Sequence, residues 1–143
     1  MLTVLVASDG SDHALRALEQ LLSMMDPKSL HVHLLNVQEG VHMSEVPLRG
    51  TLADVQAVEK EREAPGLKAL ASAAAVLERA GVSHAVHVKV GPAAQTIVAF
   101  ATEYHCQMIV MGSRGMGSVA NLVLGSVANK VVHLTNLPVL LVK

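Results

Sequence analysis

Alternation constrains this chain more than any other feature. Five short aliphatic runs, Leu2 to Ala7, Leu30 to Val37, Val82 to Val90, Met108 to Met111 and Val139 to Val142, are separated by segments whose apolar residues recur at helical spacing. The first helical segment starts at Ser11, which with Asp12 is a candidate cap, and carries Ala14, Leu15, Leu18, Leu21 and Leu22. The next runs from about Leu52 to Arg79, with Val55, Val58, Leu67, Leu70, Ala74 and Leu77 expected to face the core. Pro65-Gly66 interrupts it and predicts a kink or two pieces, and Gly81 suits a left-handed end. A third spans Ala93 to Tyr104. Strands alternating with helices predict an α/β fold, an open five-stranded parallel sheet with helices on both faces.

Composition fits one domain of that kind, residues 1–143. Hydrophobic residues make up 51%, and Phe100 and Tyr104 are the only aromatics. Charged residues are 16%, low enough that a partner chain is expected to hide some apolar surface. A net charge of -1 with no basic block argues against nucleic acid. The sole cysteine, Cys106, rules out an internal disulfide, suits a reducing cytosol and is expected to be buried near a strand start. With Leu2 to Val6 opening the chain there is no room for a secretory signal, and no apolar run is long enough to span a membrane, so a cytoplasmic location is expected. His31 and His33 share a strand face but lack a third ligand at local spacing, and His42 lies in the Gln38 to Gly50 loop.

The chemistry concentrates in Cys106 to Val132. The run Met108 to Met111 opens into a glycine- and serine-rich turn, Gly112 to Ser118, and Gly125-Ser126 then precedes an alanine- and valine-rich segment. Strand, loop, helix is how backbone N–H groups are brought against an anion, although a ligand-free hinge has the same grammar. An open parallel sheet binds ligands beyond the carboxyl ends of its strands, where chain order reverses. With order 3-2-1-4-5 that crevice lies between Ala7-Ser8-Asp9 and Met111-Gly112. Ala7, Val37 and Met111 would form an apolar slot for a base, with Val37 reading the base edge through its backbone. Asp9 would accept from ribose hydroxyls or hold a divalent cation, Mg2+ or Mn2+, against phosphate. Gly115, Gly125 and Ser126 would cradle phosphates, with Arg114 as the fixed cation in the loop. The Asp9 sequence equally suits an Asx turn or helix cap. The glycine-lysine-serine phosphate loop and the dinucleotide glycines are both missing.

The order Gly112-x-x-Gly115, nine residues, Gly125-Ser126 resembles the signature of the ATP-binding branch of the universal stress protein family. Asp9-Gly10-Ser11, Gly91 and the strand Pro138 to Val142 agree with it, so the resemblance covers essentially the whole chain. It implies a single-domain fold of the adenine nucleotide alpha-hydrolase-like type with strand order 3-2-1-4-5. It also implies a homodimer whose final strands, Val139, Leu140, Leu141 and Val142, meet antiparallel. Asp9 would then be the ribose- and phosphate-side acid, and Val37 would meet adenine by its backbone. Gly112 and Gly115 would lie on the phosphates, with Gly125, Ser126 and Val127 closing over the tail. Many members have proline where this chain has Ala7, a loosening of the base pocket.

The function so implied is an ATP-binding stress-response regulator, a dimeric switch whose Gln38 to Gly50 and Gly112 to Gly125 loops respond to occupancy and are read by regulatory protein partners. A slow ATPase or self-phosphorylating protein, with Ser126 as a possible acceptor, is the alternative, and a scaffold without functional nucleotide binding is the third reading.

Overall fold

In the computed structural model, residues 1–38, 52–114 and 124–143 are described, with backbone only at Asp54, Val55, Val58 and Glu59. The expected core roles of Val55 and Val58 therefore lie outside the described side chains. Gly115 and most of the Gln38 to Gly50 and Gly112 to Gly125 loops, with the roles expected of them, also lie outside the described residues.

The strands are β1 (Leu2–Ala7), β2 (Leu30–Gln38), β3 (Ser83–Val90), β4 (Met108–Gly112) and β5 (Val139–Val142). All four pairings are parallel and the order is β3-β2-β1-β4-β5, as the sequence reading expected. The helices are α1 (Asp12–Met24), α2 (Leu52–Glu61), α3 (Glu63–Arg79), α4 (Ala93–Glu103) and α5 (Ser126–Leu134).

Side chains of successive strand residues point to opposite faces, so a strand covered on both sides must be apolar throughout. In β1, Val4 and Val6 join a core with Leu18 and Leu21 of α1 and Leu70 and Leu77 of α3. Leu5 and Ala7 join the opposite core, with Ile97 and Phe100 of α4 and Val131 of α5. α1 is capped by Ser11, whose Oγ accepts from the Ala14 N–H at 3.2 Å.

The long helical segment divides at Arg62, into α2 and α3, and not at Pro65-Gly66. Pro65 is the third residue of α3, where its missing N–H has no intrahelical acceptor to lose and where its ring disfavours continuation of the preceding helix. Gly66 is buried, and a Cβ there would lie 2.8 Å from Val88 Cγ2 and nearer still to Cγ1, so α3 sits on β3 at a separation only glycine allows. The consequence reverses one expectation: Gly66 faces the sheet, and its neighbour Leu67 is turned out, 46% exposed.

Candidate functional site

The sheet brings the carboxyl ends of β1 and β4 side by side, and a cleft of about 330 Å³ opens beyond them. Ligand sites are typically concave, mostly apolar and a few hundred cubic ångströms in volume. Ala7, Val37 and Met111 supply apolar wall; Asp9, Gly112, Arg114, Gly125, Ser126 and Val127 complete the set of sequence-named residues that line it. Gly115 lies outside the described residues. Segments about a hundred positions apart in sequence thus converge on one space.

The first turn is held by local hydrogen bonds. Asp9 Oδ1 accepts from the Ser11 N–H at 2.9 Å, the Asx turn that its sequence allowed, and Ser8 Oγ accepts from the Gly10 N–H at 3.2 Å. Gly10 has φ +85° and lies against Ala69 of α3, so a side chain there would meet both backbone strain and a neighbour 3.2 Å away. Asn36 donates from Nδ2 to the Ser8 carbonyl at 2.9 Å, fixing the turn to the end of β2. Asp9 itself is exposed at the cleft mouth.

On the other wall the Ser113 N–H donates to the Val142 carbonyl at 2.8 Å, and the Ser113 carbonyl accepts from the Gly125 N–H at 2.6 Å. The start of the glycine loop and the start of α5 are thereby tied to one residue. Gly125 is the N-cap of α5 and provides no side chain to satisfy the first-turn N–H groups. The first intrahelical bond seen is Asn129 N–H to the Gly125 carbonyl, so the N–H groups of Ser126, Val127 and Ala128 are left without intrahelical acceptors where those residues line the cleft. Such a helix start attracts anions. Gly112 has a packing role besides its place in the wall: a Cβ there would lie 3.0 Å from the backbone of His13, so β4 ends close under α1.

Several lining residues were not singled out from sequence. Ser113 is buried, and its Oγ has no hydrogen-bond partner among the described residues. Ser8, Ala93 and Ile97 also line the cleft. The signal for Ala93 was its place after Gly91-Pro92, just beyond the carboxyl end of β3, as Asp9 lies just beyond that of β1. Ser113 lay inside the glycine loop and had no separate signal.

Among the described residues no group of three or more His, Cys, Asp or Glu is placed to hold a metal ion. Asp9 is the one carboxylate in the described lining. A hard cation that takes most of its shell from phosphate and water fits that donor set, whereas a protein-only cage does not. No described helix is long and apolar enough to cross a membrane. β5 forms the outer edge of the sheet, with all four residues partly exposed.

Residues 1–143 match the universal stress protein family. The chain is 30% identical over 144 residues to universal stress protein YxiE of Bacillus subtilis, covering 98% of this chain and 97% of that one. Its fold superposes on that of the hypothetical protein MJ0577 with a TM-score of 0.82 at 25% identity, covering 99% and 95% of the two chains. It also superposes on a universal stress protein from Archaeoglobus fulgidus in complex with dAMP, with a TM-score of 0.67, 24% identity and coverage of 100% and 98%. The match over the full length and the fold agree: this chain belongs to the universal stress protein family.

Proposed function

We propose that the chain binds ATP in the cleft between β1 and β4 and acts as a nucleotide-dependent regulatory switch in a stress response. The observation that carries this is the convergence on one space of an apolar slot, an acidic turn and an uncapped helix start, the three environments that a base, a ribose and a phosphate tail require. The dAMP complex of the Archaeoglobus relative supports an adenine ligand.

In this reading adenine lies against Ala7, Val37 and Met111, and Asp9 meets the ribose and the phosphate side. Gly112, Arg114, Gly125, Ser126 and Val127 surround the phosphates, together with Gly115. A Mg2+ or Mn2+ ion carried by the nucleotide would take one ligand from Asp9. Binding is favoured over turnover because hydrolysis needs a positioned base in addition to the groups that hold the nucleotide, and Asp9, the one carboxylate in the described lining, is assigned here to the ribose and the cation. The half-exposed edge strand Val139–Val142 supports a homodimer formed by antiparallel pairing of two copies, which would also cover an otherwise unpaired edge.

Calorimetric titration with ATP, AMP and inorganic phosphate tests the proposal. ATP and AMP should bind and phosphate alone should not. Asp9→Asn keeps an acceptor for the Ser11 N–H but loses the charge, so it should weaken ATP while leaving the turn and the fold intact. Equal, weak heats for all three ligands would leave a scaffold with no use for the cleft.

A further inference from the structure

The chain has one phenylalanine, one tyrosine and no tryptophan, and both aromatic rings are spent on the same pair of histidines. His33 on β2 and His87 on β3 lie two register positions apart, since His33 is opposite Ala85 and Leu35 opposite His87, so they share the sheet face that α4 covers. His33 Nδ1 and His87 Nε2 are 3.0 Å apart, a hydrogen bond in which one ring donates and the other accepts. Phe100 and Tyr104, stacked on each other at 4.1 Å between centroids, lie over the pair. His87 is 4.7 Å from Phe100 and 5.0 Å from Tyr104, and His33 is 5.0 Å from Tyr104.

The surroundings of the pair disfavour positive charge. Burial is the first cause holding both imidazoles below their ordinary value of 6.5, and the neighbouring charges are cationic: His31 and His87 act on His33, and Lys89 and His31 act on His87. From α4 and its cap, the described ring contacts to the pair are those of Phe100, which is neutral, and of the Tyr104 phenol. His31 is itself bonded to Ser83 Oγ at 2.8 Å, which holds it beside His33. One proton on the pair leaves the imidazole hydrogen bond in place. A second removes it, because both nitrogens would then be donors.

Phe100 and Tyr104 belong to the same helix end, and the other end of that helix reaches the cleft through Ala93 and Ile97. Ile97 and Phe100 are one turn apart in a helix of eleven residues, which moves as a unit. We propose that the His33–His87 pair makes the cleft proton-sensitive: charging the pair pushes the Phe100–Tyr104 end of α4 off the sheet, and α4 carries the displacement to Ala93 and Ile97 in the cleft wall. For nucleotide affinity this rests on the ATP reading above; for the cleft wall it does not.

Two measurements on the full chain separate those parts. The Ile97 δ-methyl resonance, followed from pH 8 to pH 5 without ligand, should shift together with the ring resonances of His33 and His87. In the double variant His33→Asn, His87→Gln, whose amides reproduce the bonded atom positions without titrating, it should stay flat, and the single variant His87→Gln should already reduce the shift. An Ile97 signal that ignores titration of the pair overturns the proposal.

ATP titrations at pH 7.5 and 5.5 supply the second measurement. The unaltered chain should lose about twofold to fivefold more affinity on acidification than the double variant, the size expected at pH 5.5 when one proton bound below 6.5 differs by about a pKa unit between free and occupied states. Titration of the nucleotide's own phosphates cancels in that comparison. Equal losses in the two proteins refute the link to affinity. A responsive Ile97 in a chain that binds no ATP at any pH would refute the nucleotide reading and leave the proton linkage to the wall standing.

Discussion

Replacing Gly66 with alanine sets two effects of opposite sign against each other, and the geometry decides between them. In an average helix the change gains about 1 kcal/mol from propensity and from a less disordered unfolded chain. Here the new methyl would lie within 2.8 Å of both Cγ atoms of Val88, where real side chains do not go. Rotation of Val88 cannot clear it. The two methyls occupy two of three staggered positions, so any other rotamer leaves at least one of the same two filled. Helix α3 or strand β3 must shift, and overpacking of this kind costs about 1–3 kcal/mol.

With both γ-methyls overlapped the cost falls in the upper part of that range, about 2–3 kcal/mol, and subtracting the gain of about 1 kcal/mol leaves a net destabilisation of about 1–2 kcal/mol. At about 2.1 cal/mol/K per residue over 143 residues, that lowers Tm by roughly 3–7 °C. Urea unfolding at fixed protein concentration should show a lower midpoint with an unchanged slope. The decisive comparison is Gly66→Ala in a Val88→Ala background, where the two γ-methyls are gone. The substitution should lose most of its cost there, leaving a coupling of about 1 kcal/mol or more. Asn36 Oδ1, 3.1 Å from the new methyl, then requires only a small adjustment. A Gly66→Ala protein as stable as its parent, or a cost unchanged when Val88 is truncated, would refute the close-packing argument.

Removing the α1 cap with Ser11→Ala should cost about 0.5–2 kcal/mol in urea unfolding, because the Ala14 N–H loses its acceptor. Cys106 is buried, and burial pushes its thiol up to about 11, so an aromatic disulfide reagent at pH 8 should react slowly with the folded chain and rapidly in denaturant. The same shift has a sign for stability: between about 9 and 11 the unfolded chain releases the thiol proton and the folded chain keeps it, so stability should fall as pH rises through that window and Cys106→Ala should flatten the fall. For His33 and His87 the sign is opposite. Their folded values lie below 6.5, so the unfolded chain takes up protons first as pH drops below 6.5, and urea midpoints should decline there in the parent and decline less in His33→Asn, His87→Gln.

Much of the fold was legible in the sequence because burial on two faces writes strands as unbroken aliphatic runs, as in Leu2 to Ala7, and burial on one face writes helices as periodic ones, as in Ala14 to Leu22. The cleft-lining positions Asp9, Gly112 and Gly125 were legible for a related reason: each lies at or beside the end of a regular element, where residue types are restricted. Leu67 was misjudged because helical periodicity treats glycine as absence of a hydrophobic group, whereas Gly66 is the residue that faces the sheet. Pro65 marked a real interruption, displaced three residues toward the N-terminus because a proline is tolerated in a first helical turn.

The sequence by itself determined the alternation of elements, the family and the turns beside the cleft, since each is encoded by local residue type and spacing. Tertiary structure alone decided that Ser113 is buried at the wall, that Asn36 secures the Ser8 carbonyl, and that His33, His87, Phe100 and Tyr104 form one cluster. Those relations join residues on different strands and helices, and their geometry depends on register and on the separation of α3 and α4 from the sheet, quantities set by packing across the chain and carried by no local stretch of it.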